Sequence, residues 1–291
     1  MNQVPPHSQR QDPSLSFGSV AQAYDRGRPS YPREAASWLS AESPISVLEL
    51  GAGTGKFTEQ LVALGHDVHA TDPDADMLAR LQERFPDIRT SQSSAEEIPA
   101  GDRSYDAVVC AQAFHWFDHS RALPEIARVL KSGGRLGLVW NQRDERVPWV
   151  RRLGKMIGNQ EQSVDPAKAL DESGLFGELE ESSFRFRQKI DRVSIKDLVL
   201  SRSNIATLSA PAQEAKLAEV LDFYDEFDRG MDGLQLPYAT TCYRARVVAG
   251  PVPTTKVESD EQDEAEQAAD EAAANEPSDG SDADLLLIDF R

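Results

Sequence analysis

The sequence predicts an α/β protein, an open and mostly parallel sheet wound doubly with helices on both faces. Three observations carry that expectation. Apolar strand-like runs alternate with helix-like stretches from Ile45 to Trp140, the pattern of a parallel sheet covered on both sides. The first run ends directly in Gly51, Gly53 and Gly55, with a helical stretch behind them. A chain of 291 residues, 40% of them hydrophobic, can also bury a core of that size.

In chain order, residues 1–16 are polar and proline-containing and read as a flexible N-terminus. Phe17 to Leu39 reads as an irregular lead-in followed by a helix. Ile45–Leu50 is a buried strand, Lys56–Leu64 a helix and Asp67–Thr71 a second strand. Asp74–Phe85 is a second helix, with Met77, Leu78, Leu81 and Phe85 falling on one face. Ile88–Ser91 is a short third strand, and Tyr105–Ala111 a fourth whose end is continuously apolar. Ser120–Leu130 reads as a helix stopped by Gly133 and Gly134, before a fifth strand over Arg135–Trp140.

Beyond Asn141 the pattern loosens. Val147–Ile157, Pro166–Ser173, Ser194–Ser203 and Ala212–Asp228 read as helices. Phe184–Ile190 alternates with period two and reads as a strand, and Tyr238–Val248 as the last one. The domain is expected over 17–250, with a small helical and loop insertion at about 145–230 that covers the acceptor. Residues 251–291 are expected to form a separate acidic tail. From Glu258 onward it is too polar to offset ordering entropy, and it reads as disordered up to the short apolar stretch Leu285–Phe290.

Charge and cysteine usage exclude several classes. The net charge is −18, and Glu258–Arg291 holds 13 acidic residues and one basic one, which leaves 36 acidic and 30 basic residues in the body. An acidic body without a basic stripe argues against a nucleic-acid partner. No run of 18 apolar residues occurs, so no membrane span is expected, and the polar start is no secretory signal. The expected compartment is the cytoplasm. Cys110 and Cys242, the two cysteines, both fall in apolar runs, which suits neither a disulfide framework nor a cysteine-based zinc site. His66 with His69, and His115 with His119, lack a third ligand at suitable spacing, so no metal is expected.

The glycines discriminate between nucleotide ligands. Gly51, Gly53 and Gly55 form G-x-G-x-G, whereas the dinucleotide fingerprint needs a glycine at position 56, which is Lys56. A Walker phosphate loop fails too, because Gly51 and Gly55 are one residue too close and Phe57 follows the lysine. Asp72 ends the second strand, 21 residues after Gly51, where a carboxylate can accept bonds from both hydroxyls of a ribose. The motif therefore suits a nucleoside without a demanding phosphate. The plainer reading of the glycines is a tight turn with no ligand, and of Asp72 a cap on the helix behind it.

The series VLELGAGTGKF, ATDPDADML, SSAEEIP, YDAVVCAQAFHWFD and IARVLKSGGRLGLVW resembles class I S-adenosylmethionine-dependent methyltransferases. It is most similar to the type 11 group that includes trans-aconitate methyltransferase-like proteins, whose start the lead-in FGSVAQAYDRGRPSYP also resembles. The likeness is dense over 17–145 and loose to about 248. It implies a Rossmann-like seven-stranded methyltransferase fold with an antiparallel last strand. It also implies a methyl donor, S-adenosylmethionine, as cofactor.

The resemblance assigns roles by position. Gly51, Gly53 and Gly55 pass under the methionine part, and Glu49 positions that loop. Asp72 takes the ribose, and Met77 packs near the adenine with Ala95 and Glu96 at its edge. Ser94 stands where many relatives carry Asp. Gln112 faces the methionyl group, and Tyr24 and Arg28 form an N-terminal lid that clamps a carboxylate. The acceptor is expected to be a small molecule that offers a carboxylate or hydroxyl for in-line attack. His115 is the candidate general base, its ordinary pKa lying near 6.5; alternatively it is structural, with Phe114, Trp116 and Phe117 as wall. Asn141 and Arg143 either line the acceptor pocket or finish a loop. The rival functions are methylation of a protein or nucleic acid, and a non-catalytic cofactor-binding interaction protein.

Overall fold

The computed structural model describes residues 26–158, 164–227 and 233–248. The N-terminus to residue 25, Tyr24 included, and the expected acidic tail lie outside the described residues. The elements are α1 (Arg33–Leu39), β1 (Ser46–Leu50), α2 (Thr58–Ala63), β2 (Asp67–Asp72), α3 (Ala75–Arg84), β3 (Arg89–Gln92) and β4 (Tyr105–Ala111). A 3-10 turn (Phe114–Trp116), α4 (His119–Val129), β5 (Leu130–Arg143), α5 (Pro148–Ile157) and α6 (Pro166–Ser173) follow. The last are β6 (Glu180–Ile190), α7 (Ser194–Leu200), α8 (Ser203–Ala206), α9 (Ala210–Phe227) and β7 (Leu234–Arg246).

The seven strands form one sheet in the order β3-β2-β1-β4-β5-β7-β6. Strands β1 to β5 run parallel, and β7 lies antiparallel between β5 and β6. This is the expected mostly parallel sheet with an antiparallel last strand. Strand order reverses at β1, which has β2 on one side and β4 on the other. Connections leaving β1 and β4 therefore diverge and open a crevice at the carboxyl ends of the strands.

Alternation along each strand builds two cores. On one face Leu48, Leu50, Val108, Leu136 and Leu138 pack under Leu123 and Ile126 of α4 and Leu170 of α6. On the other face Val47, Ala107, Val109 and Val139 pack under Ala35, Ala36 and Leu39 of α1 and Leu61 of α2. Each strand alternates between the two cores because successive side chains point to opposite faces. Helices α5, α7 and α9 enclose a third core with Ile190, Leu236 and Tyr238 at the β6–β7 end. Among the described residues no helix is long and apolar enough to cross a membrane.

Three expectations about elements are corrected. Gly133 and Gly134 do not end a helix. The helix stops at Val129, and β5 begins at Leu130, which is buried and pairs with Tyr105. Burial of Leu130 against β4 decides the matter, and the glycines sit at a register shift in the β4–β5 pairing. The helix expected over Ser194–Ser203 is split into α7 and α8. The strand expected over Phe184–Ile190 begins earlier, at Glu180, pairing over its full length with β7.

The lead-in is fastened to this added layer. A Cβ on Gly27 would lie 2.3 Å from the backbone of Asp197 in α7. Arg26 donates to both carboxylate oxygens of Asp197, at 2.8 and 3.0 Å. Gly27→Ala should therefore unseat residues 26–30 from α7 and cost about 1–3 kcal/mol, since neither backbone can yield. A urea unfolding curve would show it as a lowered midpoint.

Candidate active site

The site is built where β1 meets its turn. Pairing of Leu50 with both Thr71 of β2 and Cys110 of β4 sets Gly51 beside the ends of both neighbours. Gly51 has a φ of +67°, and a Cβ on it would lie 2.5 Å from Ala113 Cβ, so only glycine fits there. Gly53 also has a positive φ, +55°, with open space on the side where a Cβ would stand.

The turn is locked by a carboxylate. Gly53 N–H donates to Asp72 Oδ2 at 2.8 Å, and Asp74 N–H donates to Asp72 Oδ1 at 2.9 Å. Asp72 is thus not the cap of α3. Asp74 is, accepting from the N–H groups of Asp76 and Met77 at 2.9 and 3.2 Å. Burial pushes the Asp72 carboxyl above its ordinary range, and the two backbone N–H groups oppose that rise. Each oxygen keeps a lone pair for a further donor.

Across the crevice, Gln112 directly follows β4, and its φ of +60° is unusual for a residue with a side chain. Two bonds hold it there: its N–H donates to Val139 O at 2.9 Å and its Nε2 to Asn141 O at 3.0 Å. Gly51, Gly53, Asp72, Pro73, Met77, Ala111, Gln112, Ala113, Trp116 and Phe117 surround a cleft with about 590 Å³ of open space. Trp116, 45% exposed, stands at its mouth.

The structure thus gathers Gly51, Gly53, Asp72, Met77 and Gln112 around one cleft and sets the other candidates around it. Gly55, at φ +83°, faces Leu81 and Phe85 of α3 and lets that helix approach the turn. Ala95 is buried in the core beneath α4, and Glu96 Oε1 accepts from Asp118 N–H at 2.8 Å. His115 is half-buried in the 3-10 turn with its ring 4.8 Å from that of Trp116, and burial lowers its pKa. His119 bonds Phe114 O and stacks on the Phe114 ring. Arg28 lies at the lead-in, where its Nη2 donates to Ser201 O at 3.1 Å. Asn141 is a bridge: its Nδ2 donates to Ser30 O at 3.0 Å while its Oδ1 accepts from Thr240 at 2.6 Å.

Glu49 lies one strand residue before Leu50, on the opposite face. Its Oε2 accepts from Thr58 Oγ1 at 2.6 Å, and its Oε1 is buried with no hydrogen-bond partner. Burial raises its pKa to about 8, against the opposing pull of Thr58.

Known proteins resemble this chain. The family described as a methyltransferase domain matches residues 48–138. An uncharacterized methyltransferase of Mycobacterium tuberculosis is 46% identical over 238 residues, which span 81% of this chain and 97% of that one. An uncharacterized methyltransferase-like protein of Schizosaccharomyces pombe is 36% identical over 241 residues, 78% of this chain and 94% of that one. The chain belongs to the methyltransferase family. Its fold is shared by a putative methyltransferase of Anabaena variabilis, with a TM-score of 0.52 at 17% identity over 72% of this chain and 95% of that one.

A methyltransferase of this kind takes its methyl group from S-adenosylmethionine, and the residues present fit that molecule. The open side of Gly53 gives a backbone floor, Asp72 retains acceptor capacity, and Glu49 Oε1 is a buried oxygen without a hydrogen-bond partner. The acidic pair also makes the cofactor-free methyltransferase sensitive to pH. Folded Glu49 holds its proton up to about pH 8, but in the unfolded chain it releases it near 4.5. Between those values unfolding releases a proton, so its contribution to stability is full below pH 4.5 and is lost as pH rises to 8. Glu49→Gln should abolish that fall, which has a limiting slope of about 1.4 kcal/mol per pH unit. Unfolding curves of both proteins from pH 5 to 8.5 would show the gap widening with pH.

Proposed function

We propose that this methyltransferase transfers the methyl group to an oxygen, carboxylate or hydroxyl, of a small-molecule acceptor by direct in-line attack. The observation that carries the reading is the glycine turn held by Asp72 at the reversal of strand order, with an open cleft above it lined by Met77, Gln112 and Trp116. An oxygen acceptor is supported by a partial likeness to the malonyl-acyl-carrier-protein O-methyltransferase of Methylococcus capsulatus. That protein is 36% identical over 134 residues, 42% of this chain and 48% of its own.

In this reading Gly51, Gly53 and Gly55 carry the methionine part and Glu49 holds the turn. Asp72 turns its free lone pairs to the ribose hydroxyls. Met77 packs on the adenine, with Ala95 and Glu96 behind its edge. Gln112 faces the methionyl group, and Tyr24 and Arg28 close the site from the lead-in. The bound cofactor supplies an electrophilic methyl on a sulfonium. The chain's own contribution is to align the acceptor oxygen with that carbon and exclude water, since proximity and orientation supply a large share of such rate enhancements.

His115 serves as base only when the acceptor is a hydroxyl. Burial keeps its imidazole neutral at pH 7, the form that accepts a proton. A carboxylate needs no base. The helical layer at about 145–230 covers the acceptor, and 17–250 is the catalytic domain.

Calorimetric titration with S-adenosylmethionine is expected to show micromolar binding, weakened at least about tenfold in Asp72→Ala, equivalent to about 1.4 kcal/mol. A folded wild type that does not bind overturns the reading. Removal of 258–291 should leave cofactor affinity unchanged; its loss would favour an interaction role that needs the tail. Once a turnover assay with small acids and alcohols yields product, mild alkali should hydrolyse a methyl ester and spare an ether. His115→Gln should lower kcat about 100-fold for an ether-forming acceptor and leave it unchanged for an ester-forming one.

A further inference from the structure

One group of charges has no part in the cofactor cleft. Arg143 ends β5 and Arg202 lies just beyond α7, and they are 7% and 6% exposed. Each points its Nη2 at the same carbonyl, Gly158 O, at 2.7 and 2.9 Å. Two donors on one oxygen keep the guanidinium groups within about 6 Å of each other. Arg28 reaches the neighbouring Ser201 O at 3.1 Å.

Neither Arg143 nor Arg202 forms an ion pair with a carboxylate among the described residues. Arg143 Nε is buried and has no hydrogen-bond partner. Burial lowers the pKa of Arg143 and Arg28 adds to that, while Tyr238 and Glu145 favour its charge. Burial and the two neighbouring arginines push the pKa of Arg202 down to about 9, with Tyr238 opposing. A buried guanidinium without a counterion is strongly destabilising, and arginine scarcely escapes by losing its proton. Two of them side by side therefore form a poor structural device and a ready site for an anion.

The pair is rooted near the cleft. Asn141 and Arg143 share one face of β5, opposite Thr240 and Tyr238 of β7. Asn141 O receives the Nε2 of Gln112, which lines the cleft. Arg143 starts about 7 Å further along the same strand, toward its carboxyl end.

We propose that Arg143 and Arg202 form a subsite for an oxyanion of the methyl acceptor, distinct from the oxygen that is methylated. This rests on the reading that the adjoining cleft holds the methyl donor. A carboxylate or phosphate held by two guanidinium groups has its lone pairs engaged and its charge neutralised, so it anchors and does not attack. The acceptor therefore carries at least two oxygen functions, one gripped by the arginines and one presented to the sulfonium.

The test uses the full chain saturated with S-adenosylhomocysteine and titrated with succinate, glutarate and inorganic phosphate, with succinamide as the neutral control. At least one anion should bind saturably and succinamide should not. Succinate or glutarate alone points to a carboxylate anchor, and phosphate alone to a phosphate ester. Arg143→Gln and Arg202→Gln should each weaken that binding at least about tenfold, with affinity for S-adenosylhomocysteine kept within about twofold. In anion-free buffer Arg202→Met should raise the Tm by about 2 °C or more, because it removes an unpaired buried charge. A wild type that binds none of the anions overturns the proposal. So does joint loss of anion and S-adenosylhomocysteine binding in the variants, which would make the arginines part of the cofactor site. A lowered Tm with anion binding intact would make them a structural tie to Gly158. Anion binding by a protein that never takes up S-adenosylhomocysteine would instead sink the methyl-transfer reading.

Discussion

The hydrogen bond from Gly53 N–H to Asp72 Oδ2, 2.8 Å long, is the interaction on which the site depends. It joins the turn after β1 to the end of β2, and the same carboxylate also holds Asp74 N–H at the start of α3. One side chain therefore fixes the glycine turn, the approach of α3 and the position of Met77 in the first turn of that helix. The bond is possible only because the parallel register brings Leu50 level with Thr71. The positive φ angles at Gly51 and Gly53 then need no compensation from side chains, since glycine adopts them at little steric cost.

Opposite this locked floor, the wall at β4 stores strain. Gln112 is held at positive φ by bonds to Val139 O and to Asn141 O, both in β5. Asn141 in turn ties the lead-in at Ser30 to Thr240 of the antiparallel strand. Asn141 thus links Gln112 to both the lead-in and β7 through hydrogen bonds. The added layer of α5, α7 and α9 brings its own core and places Arg202 beside Arg143. Charged groups thus gather in two regions. Carboxylates, Glu49 and Asp72, sit under the glycine turn, and guanidinium groups gather at the end of β5.

Much of the first half was legible in the sequence. The strand over Tyr105–Ala111 and the helix over Pro166–Ser173 match their predicted bounds residue for residue, because apolar runs and a proline with a preceding Asp leave little freedom. Gly51, Gly53, Asp72, Met77 and Gln112 were readable as a set, and they do surround one cleft. Asp72 was readable as a carboxylate near the turn, but its bond to Gly53 was not, since sequence offset carries no register. The start of β5 at Leu130 was misread, because two glycines mimic a helix stop when the pairing partner Tyr105 is unseen. Glu180–Ser183 is too polar to read as strand and is one only because β7 lies alongside.

By itself the sequence determined the local chemistry: alternation of strand and helix, a glycine turn that rejects a dinucleotide, and a carboxylate at the offset for a ribose. These are short-range properties, set by propensity, periodicity and backbone freedom. Only the tertiary structure decided which charges meet. Arg28, Arg143 and Arg202 are separated by 115 and 59 positions along the chain, yet Arg143 and Arg202 converge on the carbonyl of Gly158. Nothing in LSRSNIA marks Arg202 as different from any surface arginine. Its burial depends on how α7 and α8 fold over β7, a long-range arrangement that no short stretch of sequence encodes.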